Sequence, residues 1–352
     1  MRPSNNTPRL MILVILFLSK SFLINAQSFS DGPPTLRAVF YNVENLFDTY
    51  KDTLKNDEEF IPQGIRAWHY KRFLKKVQDL GKTLVAVGEW EAPGIIGLCE
   101  IENRFVLNQL LKNSALSRLN YQVVHYESPD TRGIDVAMFY RHDKFKKLHS
   151  EPLKVAFPGP DARPTRDILY VKGIALNTDT LHVFVNHWPS KYGGVMATEP
   201  LRHFTGAYLK SKADSILRHD PHANILLMGD FNDEPNEASM TQHLKARLDT
   251  NGIQRGELYN LMAPFYTRAN VGTHKFRENW SVIDQFVVSS ALINSKGKLA
   301  IHPRSAFIYS AEFLLEDDPT HTGKRPFRTY SGMTYAGGYS DHLPIVVDFV
   351  VR

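Results

Sequence analysis

The sequence predicts a layered α/β domain, and three observations carry that reading. Short apolar, β-branched runs recur along the chain, segments of helical spacing lie between them, and no repeat or low-complexity stretch interrupts the pattern after Gln27. The 352 residues are 43% hydrophobic and 22% charged, which excludes a disordered chain and a polyionic tail. Eight runs read as buried strands: residues 36–41, 95–99, 134–140, 168–175, 181–185, 225–228, 282–288 and 345–350. Residues 70–87, 105–111, 201–217 and 238–248 read as helices. In the first of these, Phe73, Leu74, Val77, Leu80 and Leu84 recur at three and four residues and leave the lysines outside. Residues 51–64, charged and broken by Pro62, read as an exposed loop, and residues 152–166 carry four prolines. Neither is composed like a linker, so one domain over residues 28–352 is expected.

The N-terminus reads differently. Arg2 and Arg9 precede an apolar run over residues 10–18, and a small residue, Ala26, stands before Gln27. This is the pattern of a secretory signal peptide over residues 1–26, with export to periplasm or medium as its consequence. The apolar run is far short of the roughly 20 residues that span a bilayer. No internal disulfide or cysteine-based zinc cluster is open to a chain whose one cysteine, Cys99, lies in an apolar run and reads as packing.

The chemically capable residues stand at the ends of the apolar runs. Asn42 and Glu44 end the first, Glu100 the second, and Asn186-His187 follows 181–185. Gly229-Asp230-Phe231-Asn232 follows 225–228, Asp284 interrupts 282–288, and Asp341-His342 precedes the last run. Strand ends in layered folds converge on one rim. Five carboxylates on one rim, Glu44, Glu100, Asp230, Asp284 and Asp341, repel one another unless a cation offsets them. Oxygen-rich ligands suit Mg²⁺ or Mn²⁺ rather than zinc. With His187 and His342 beside the ion, the set describes metal-assisted hydrolysis of a phosphate ester. Asp284, between apolar pairs, is costly to bury without a partner.

In order and spacing, these motifs resemble those of the endonuclease/exonuclease/phosphatase superfamily, which includes DNase I-like nucleases, AP endonucleases, inositol polyphosphate 5-phosphatases and bacterial sphingomyelinases. The resemblance covers essentially residues 28–352. Its texture, with Gly97-Leu98-Cys99-Glu100, Arg132-Gly133-Ile134-Asp135 and Asn186-His187-Trp188-Pro189, looks like an exported Bacteroidetes-type branch. It implies a four-layered α/β sandwich, two mainly antiparallel sheets face to face with helices outside. It also implies that Glu100 is the principal metal ligand, with Asn42, Glu44 and Asp341 contributing. Asp284 orients His342 as general base on water, and His187 contacts the scissile phosphate and stabilises or protonates the leaving oxygen. Asp230 and Asn232 position phosphate and nucleophile, and Asn186 contacts substrate. Glu44 departs from the aspartate of AP endonucleases, and its extra methylene moves that contact outward. Arg132 is the candidate phosphate clamp, because a guanidinium pairs with phosphate through two parallel bonds. Trp188 and Tyr192 are read as packing the loop.

The expected protein is therefore an exported, divalent-metal-dependent phosphoesterase, monomeric and without a membrane span, acting as a phosphodiesterase on nucleic acid. Its rivals are a phosphatase of inositol phosphates or other small esters, a sphingomyelinase-like phospholipid phosphodiesterase, and a catalytically inactive binding protein. Charge restrains the nucleic-acid reading. The net charge is +5, and Arg2, Arg9 and Lys20 account for three of it, so removal of residues 1–26 leaves +2. That is no global basic field.

Overall fold

A computed structural model describes residues 35–160, 162–293 and 297–352; the expected signal peptide, residues 1–26, and the start of the expected domain lie outside the described residues. The chain opens with β1 (Thr35–Leu46), α1 (Tyr70–Ala86), β2 (Ile95–Ile101), α2 (Arg104–Lys112), β3 (Tyr121–His125) and β4 (Asp135–Arg141). It continues through β5 (Phe145–Leu153), β6 (Ile168–Ala175), β7 (Asp179–His187), α3 (Val195–His219) and β8 (Asn224–Asp230). Shorter strands follow: β9 (Ala246–Arg247), β10 (Leu258–Asn260), β11 (His274–Phe276), β12 (Asn279–Ser281), β13 (Asp284–Ser289), β14 (Leu299–Ile301) and β15 (Phe307–Ile308). The hairpins β16 (Leu315–Asp317) with β17 (Lys324–Pro326) and β18 (Tyr330–Ser331) with β19 (Thr334–Tyr335) precede the final strand β20 (Ile345–Val351).

The strands build two seven-stranded sheets. One runs β14-β20-β1-β2-β4-β3 with β15 beside β20, and the other runs β5-β6-β7-β8-β13-β10-β9. Most neighbours are antiparallel; β1 with β2, β7 with β8, and β9 with β10 are parallel. Side-chain alternation along each strand produces the layers. In β1, Phe40 joins Met138, Val183, Met228 and Phe286 in the core between the sheets. Its neighbours Val39 and Tyr41 face the other way, onto Phe73, Val77 and Leu80 of α1. In the second sheet, Phe184, Ile225 and Leu227 turn outward to Leu209, Ala213 and Leu217 of α3. Helix, sheet, sheet, helix is the four-layered sandwich that the resemblance implies.

All eight expected strands form. Residues 238–248 do not make a helix: one π turn over Ser239–His243 gives way to β9, with Ser239 Oγ bonded to the buried Asp233 carboxylate at 2.7 Å. The lysines of α1 are not all outside, since Lys76 is buried. Among the described residues, no helix is long and apolar enough to cross a membrane.

His182 on β7, remote from the rim, gives the fold a pH dependence. It is buried, hydrogen-bonded to Tyr170 Oη at 2.7 Å through Nδ1, and is pushed down to about 4 by burial and then by Lys172. The unfolded chain therefore binds more protons between that value and about 6.5, so stability falls as pH falls through the window. The Tm of His182→Phe is expected to drop less between pH 7 and pH 5 than that of the native chain.

Candidate functional site

Register brings the six strand ends to one rim. The parallel pairing of β1 with β2 sets Asn42 opposite Cys99, next to Glu100, and that of β7 with β8 sets His187 opposite Asp230. The antiparallel β13 sets Asp284 opposite the same Asp230. At the other sheet, β20 enters antiparallel to β1 with Ile345 opposite Phe40, so His342 arrives from the loop above. Bulges aim the carboxylates: register shifts within β1 after Asn42 and around Glu100 in β2. Glu44, Asn45, Glu100 and Asn232 take left-handed backbone, φ 50°, 54°, 61° and 54°. Such conformations cost free energy in non-glycine residues and cluster at functional sites. Gly229 is required by close approach, because a Cβ there would lie 2.5 Å from the Asn186 carbonyl oxygen.

The Asn42 amide nitrogen is the hub. It donates to Glu100 Oε1 at 3.2 Å and Asp230 Oδ2 at 3.0 Å, and lies 3.4 Å from His342 Nε2. On the far side, His342 Nδ1 meets Asp284 Oδ2 at 2.7 Å, with both residues buried. His187 Nε2 lies 3.9 Å from Glu100 Oε1 and 3.8 Å from Asp230 Oδ2. Asn232 bonds the Asp230 carboxylate through its backbone N–H at 2.9 Å and the Trp188 carbonyl through its side chain at 3.0 Å. Glu100, Asp230, Asp284, His187, His342, Asn42 and Asn232 thus form one cluster.

The electrostatics follow from burial and crowding. Burial and then Asp284 push Asp230 up to about 7. Burial works against the charged form of His342, but Asp284, Asp230 and Asp341 outweigh it and hold the imidazole well above its ordinary value. His187 is driven the other way, by burial and then by Arg166, Arg132 and His342, and stays neutral. Asp341 is pushed up by burial yet held below its ordinary value by His342, His274, Arg328 and Lys76. Among the described residues, no Lys or Arg nitrogen comes within 4.0 Å of the Glu100, Asp230 or Asp341 carboxylates. Oxygen donors gathered without a basic partner fit a hard divalent cation, with Glu100, fixed by the Asn45 N–H at 2.9 Å, as the anchor.

Several expectations change. Glu44 does not join Glu100: its carboxylate accepts from the Thr329 and Tyr330 N–H groups at 2.6 and 3.3 Å and lies 3.9 Å from Lys76 Nζ. Asn42 presents its nitrogen to the cluster, while its oxygen takes the Glu44 N–H at 3.0 Å, so it is no oxygen ligand in this arrangement. Asn186 is fully buried and bonds the Phe184 and Met228 carbonyls and the Trp188 indole, which makes it scaffold rather than substrate contact. Arg132 is half-exposed beside Asp130, 3.9 Å away. Trp188 packs in the core as expected, whereas Tyr192 is 93% exposed and packs nothing.

The sequence reading missed four groups. Lys76 donates to Thr329 Oγ1 and the Tyr339 carbonyl, stapling α1 to the strap that delivers Asp341 and His342. Arg166 is buried behind His187, bonded to Asp130 at 3.2 Å and the Trp188 carbonyl at 2.6 Å. The fully buried Arg202 of α3 pairs with Asp233 at 2.8 Å beneath the Gly229–Asn232 turn. The His274 ring lies tilted against that of His342. A charge on an apolar helix face was the available signal for Lys76; the others depend on distant partners.

Comparison with known proteins gives the same fold. The human Nocturnin catalytic domain, solved with bound sulfate, superposes with TM-score 0.55 at 18% identity, covering 92% of this chain and 96% of that one. A TDP2 from D. rerio complexed with a single-strand DNA product gives 0.54 at 15% identity, over 90% and 99%. An endonuclease/exonuclease/phosphatase family protein from Bacteroides thetaiotaomicron gives 0.53 at 16%, over 91% and 99%. A comparison with curated proteins finds no match. The sequence profile described as "Endonuclease/Exonuclease/phosphatase family" matches residues 37–351, nearly the whole described chain. On that match, the chain belongs to the endonuclease/exonuclease/phosphatase family of metal-dependent phosphoesterases and is a hydrolase of phosphate ester bonds.

Proposed function

We propose that the chain is an exported phosphodiesterase of nucleic acid, supported by Mg²⁺ or Mn²⁺, with residues 1–26 as its signal peptide and residues 28–352 as its one catalytic domain. The observation that carries the chemistry is the buried Asp284–His342 pair, 2.7 Å, whose free Nε2 faces Asp230 and Asn42 beside the unpaired Glu100. Asp284 fixes the ring so that Nε2 takes the proton of an attacking water. Neutral His187 donates to a phosphoryl oxygen. Asp230 and Asn232 hold the nucleophile against the Asn42 amide, and Arg132 closes on a flanking phosphate. When bound at Glu100, and near Asp341, a divalent cation supplies Lewis-acid stabilisation of phosphoryl charge and offsets the carboxylate field that keeps His342 protonated.

Nucleic acid is favoured by Tyr50 and Tyr192, 73% and 93% exposed on loops that leave the rim ends of β1 and β7, where planar rings can stack on bases. The TDP2 with a DNA product shares the fold and lends the reading its analogy. A second reading has its own observation: Leu54, on the loop after β1, and Met196, in the first turn of α3, are 88% and 86% exposed and would suit a phospholipid surface. The test is a panel of supercoiled plasmid, RNA, bis-p-nitrophenyl phosphate, inositol phosphates and sphingomyelin vesicles, each with Mg²⁺, Mn²⁺ or chelator. Plasmid or RNA cleavage that chelator stops is the expected result. Turnover of vesicles alone selects the second reading, and hydrolysis indifferent to chelator sinks the metal mechanism.

A further inference from the structure

The chemistry above leaves His274 without a task. It opens β11 and is tied to His342 by an isolated antiparallel bridge, which sets the ring centroids 4.8 Å apart at 40°. His342 is committed to Asp284 through Nδ1 at 2.7 Å, whereas the His274 ring has no hydrogen-bond partner among the described residues. The third member is Asp341, with Oδ1 3.9 Å from His342 Nε2 and a side chain 26% exposed. One ligand atom from each of His274, Asp341 and His342 lies within 4.8 Å of the others.

Two imidazoles and one carboxylate with an open, solvent-facing side differ in kind from the oxygen set around Glu100. Nitrogen-rich tetrahedral sites with an open position select zinc and its neighbours over magnesium. The Asp284 carboxylate behind His342 supplies the outer support that orients a ligating imidazole. Arg328 is the opposing feature, since its charge reaches both His274 and Asp341. It makes no ion pair with Asp341 within 4.0 Å among the described residues, so the carboxylate stays available.

We propose that His274, Asp341 and His342 form a second metal site, which takes a borderline divalent transition metal such as Zn²⁺ and inhibits the hydrolase when filled. Binding there occupies His342 Nε2, the atom that would take the proton from water; this inhibitory half rests on the function proposed above. The enzyme is thus supported by a hard cation and silenced by a softer one at an adjoining site.

The experiment is calorimetric titration of Zn²⁺ into the purified protein under saturating Mg²⁺, for the native chain, His274→Gln, Asp341→Asn and Glu100→Gln. Co²⁺ absorption is recorded in parallel as a report on geometry. One Zn²⁺ per chain is expected, with an intense tetrahedral Co²⁺ band. Loss of a ligand in His274→Gln or Asp341→Asn should weaken Zn²⁺ by at least the roughly 10–100-fold that loss of a mere outer-shell partner costs. Glu100→Gln should lose Mg²⁺ support while keeping Zn²⁺ affinity within about threefold. The Zn²⁺ inhibition curve of His274→Gln, scaled to its own Mg²⁺ rate, should move by the same factor as its affinity. Native-like Zn²⁺ binding in both ligand variants, or a weak octahedral Co²⁺ spectrum, overturns the site. Failure of hydrolysis on every ester in the panel would defeat the proposed function, while the calorimetry would still decide the site.

Discussion

Replacing His342 by alanine is expected to lower Mg²⁺-supported hydrolysis by about 10²–10⁴-fold, the usual worth of a positioned general base. The loss should fall on kcat rather than KM, because the imidazole acts on water and not on the resting substrate. The deletion also leaves Asp284 buried opposite nothing, so a fall in activity alone would be ambiguous. His342→Gln separates the effects: its amide can donate to Asp284 while offering no base in the accessible pH range. Single-turnover rates and Tm measured together on both variants decide the matter. A His342→Gln chain as stable as the native one and still active within tenfold would remove His342 from the mechanism. Asp284→Asn should damage the rate through the other end of the pair, since an amide no longer selects the tautomer that leaves Nε2 unprotonated.

Lys76→Met is expected to produce the largest loss of stability, about 3–5 kcal/mol, as for breaking a buried ion pair from one side. Its ammonium is buried between the Glu44 carboxylate and the strap carbonyl of Tyr339. Glu44 is already pushed up to about 7, by burial and then by Asp341, with Lys76 pulling it down. Its folded value thus exceeds the unfolded one, so the fold binds the extra proton and stability falls as pH rises through that interval. Without Lys76 the effect grows. The deficit of Lys76→Met, read from denaturant midpoints, should be larger at pH 8 than at pH 5. The double variant Lys76→Met/Glu44→Gln should recover part of it, because the amide carries no charge to strand. Equal deficits at both pH values would show that Lys76 contributes packing rather than charge.

What the sequence made legible follows from where each signal is stored. The eight strands are apolar runs, and burial on both faces in a sandwich leaves that mark in composition. The rim residues were legible because polar groups at strand ends have no packing reason to recur at six places. β5 was missed because it is an edge strand whose middle, from Lys146 to His149, is exposed and carries no alternation. Lys76 falls on the apolar face of α1, yet residue type alone reads it as solvated; its partners Thr329 and Tyr339 are 253 and 263 residues away. Glu44 was identified as a site carboxylate, but which way it turns depends on the Thr329 and Tyr330 backbone N–H groups, 285 and 286 residues away. Arg166 and His274 were illegible for the same reason: their meaning lies in the groups that tertiary folding sets beside them, Asp130 and His342.

The place of β20 has a consequence for the order of events after synthesis begins. The earliest described strand lies in the interior of its sheet, hydrogen-bonded to the latest, with Thr35 opposite Val350. Arg37 clasps Asp348, 311 residues onward, through two bonds of 2.8 and 2.9 Å. A ribosome that has not yet released residues 345–351 therefore holds a chain whose first sheet is split and whose site lacks His342. Such a chain stays open and unfinished until residues 345–351 have emerged. That delay ties the appearance of hydrolytic activity to the moment β20 closes the sheet.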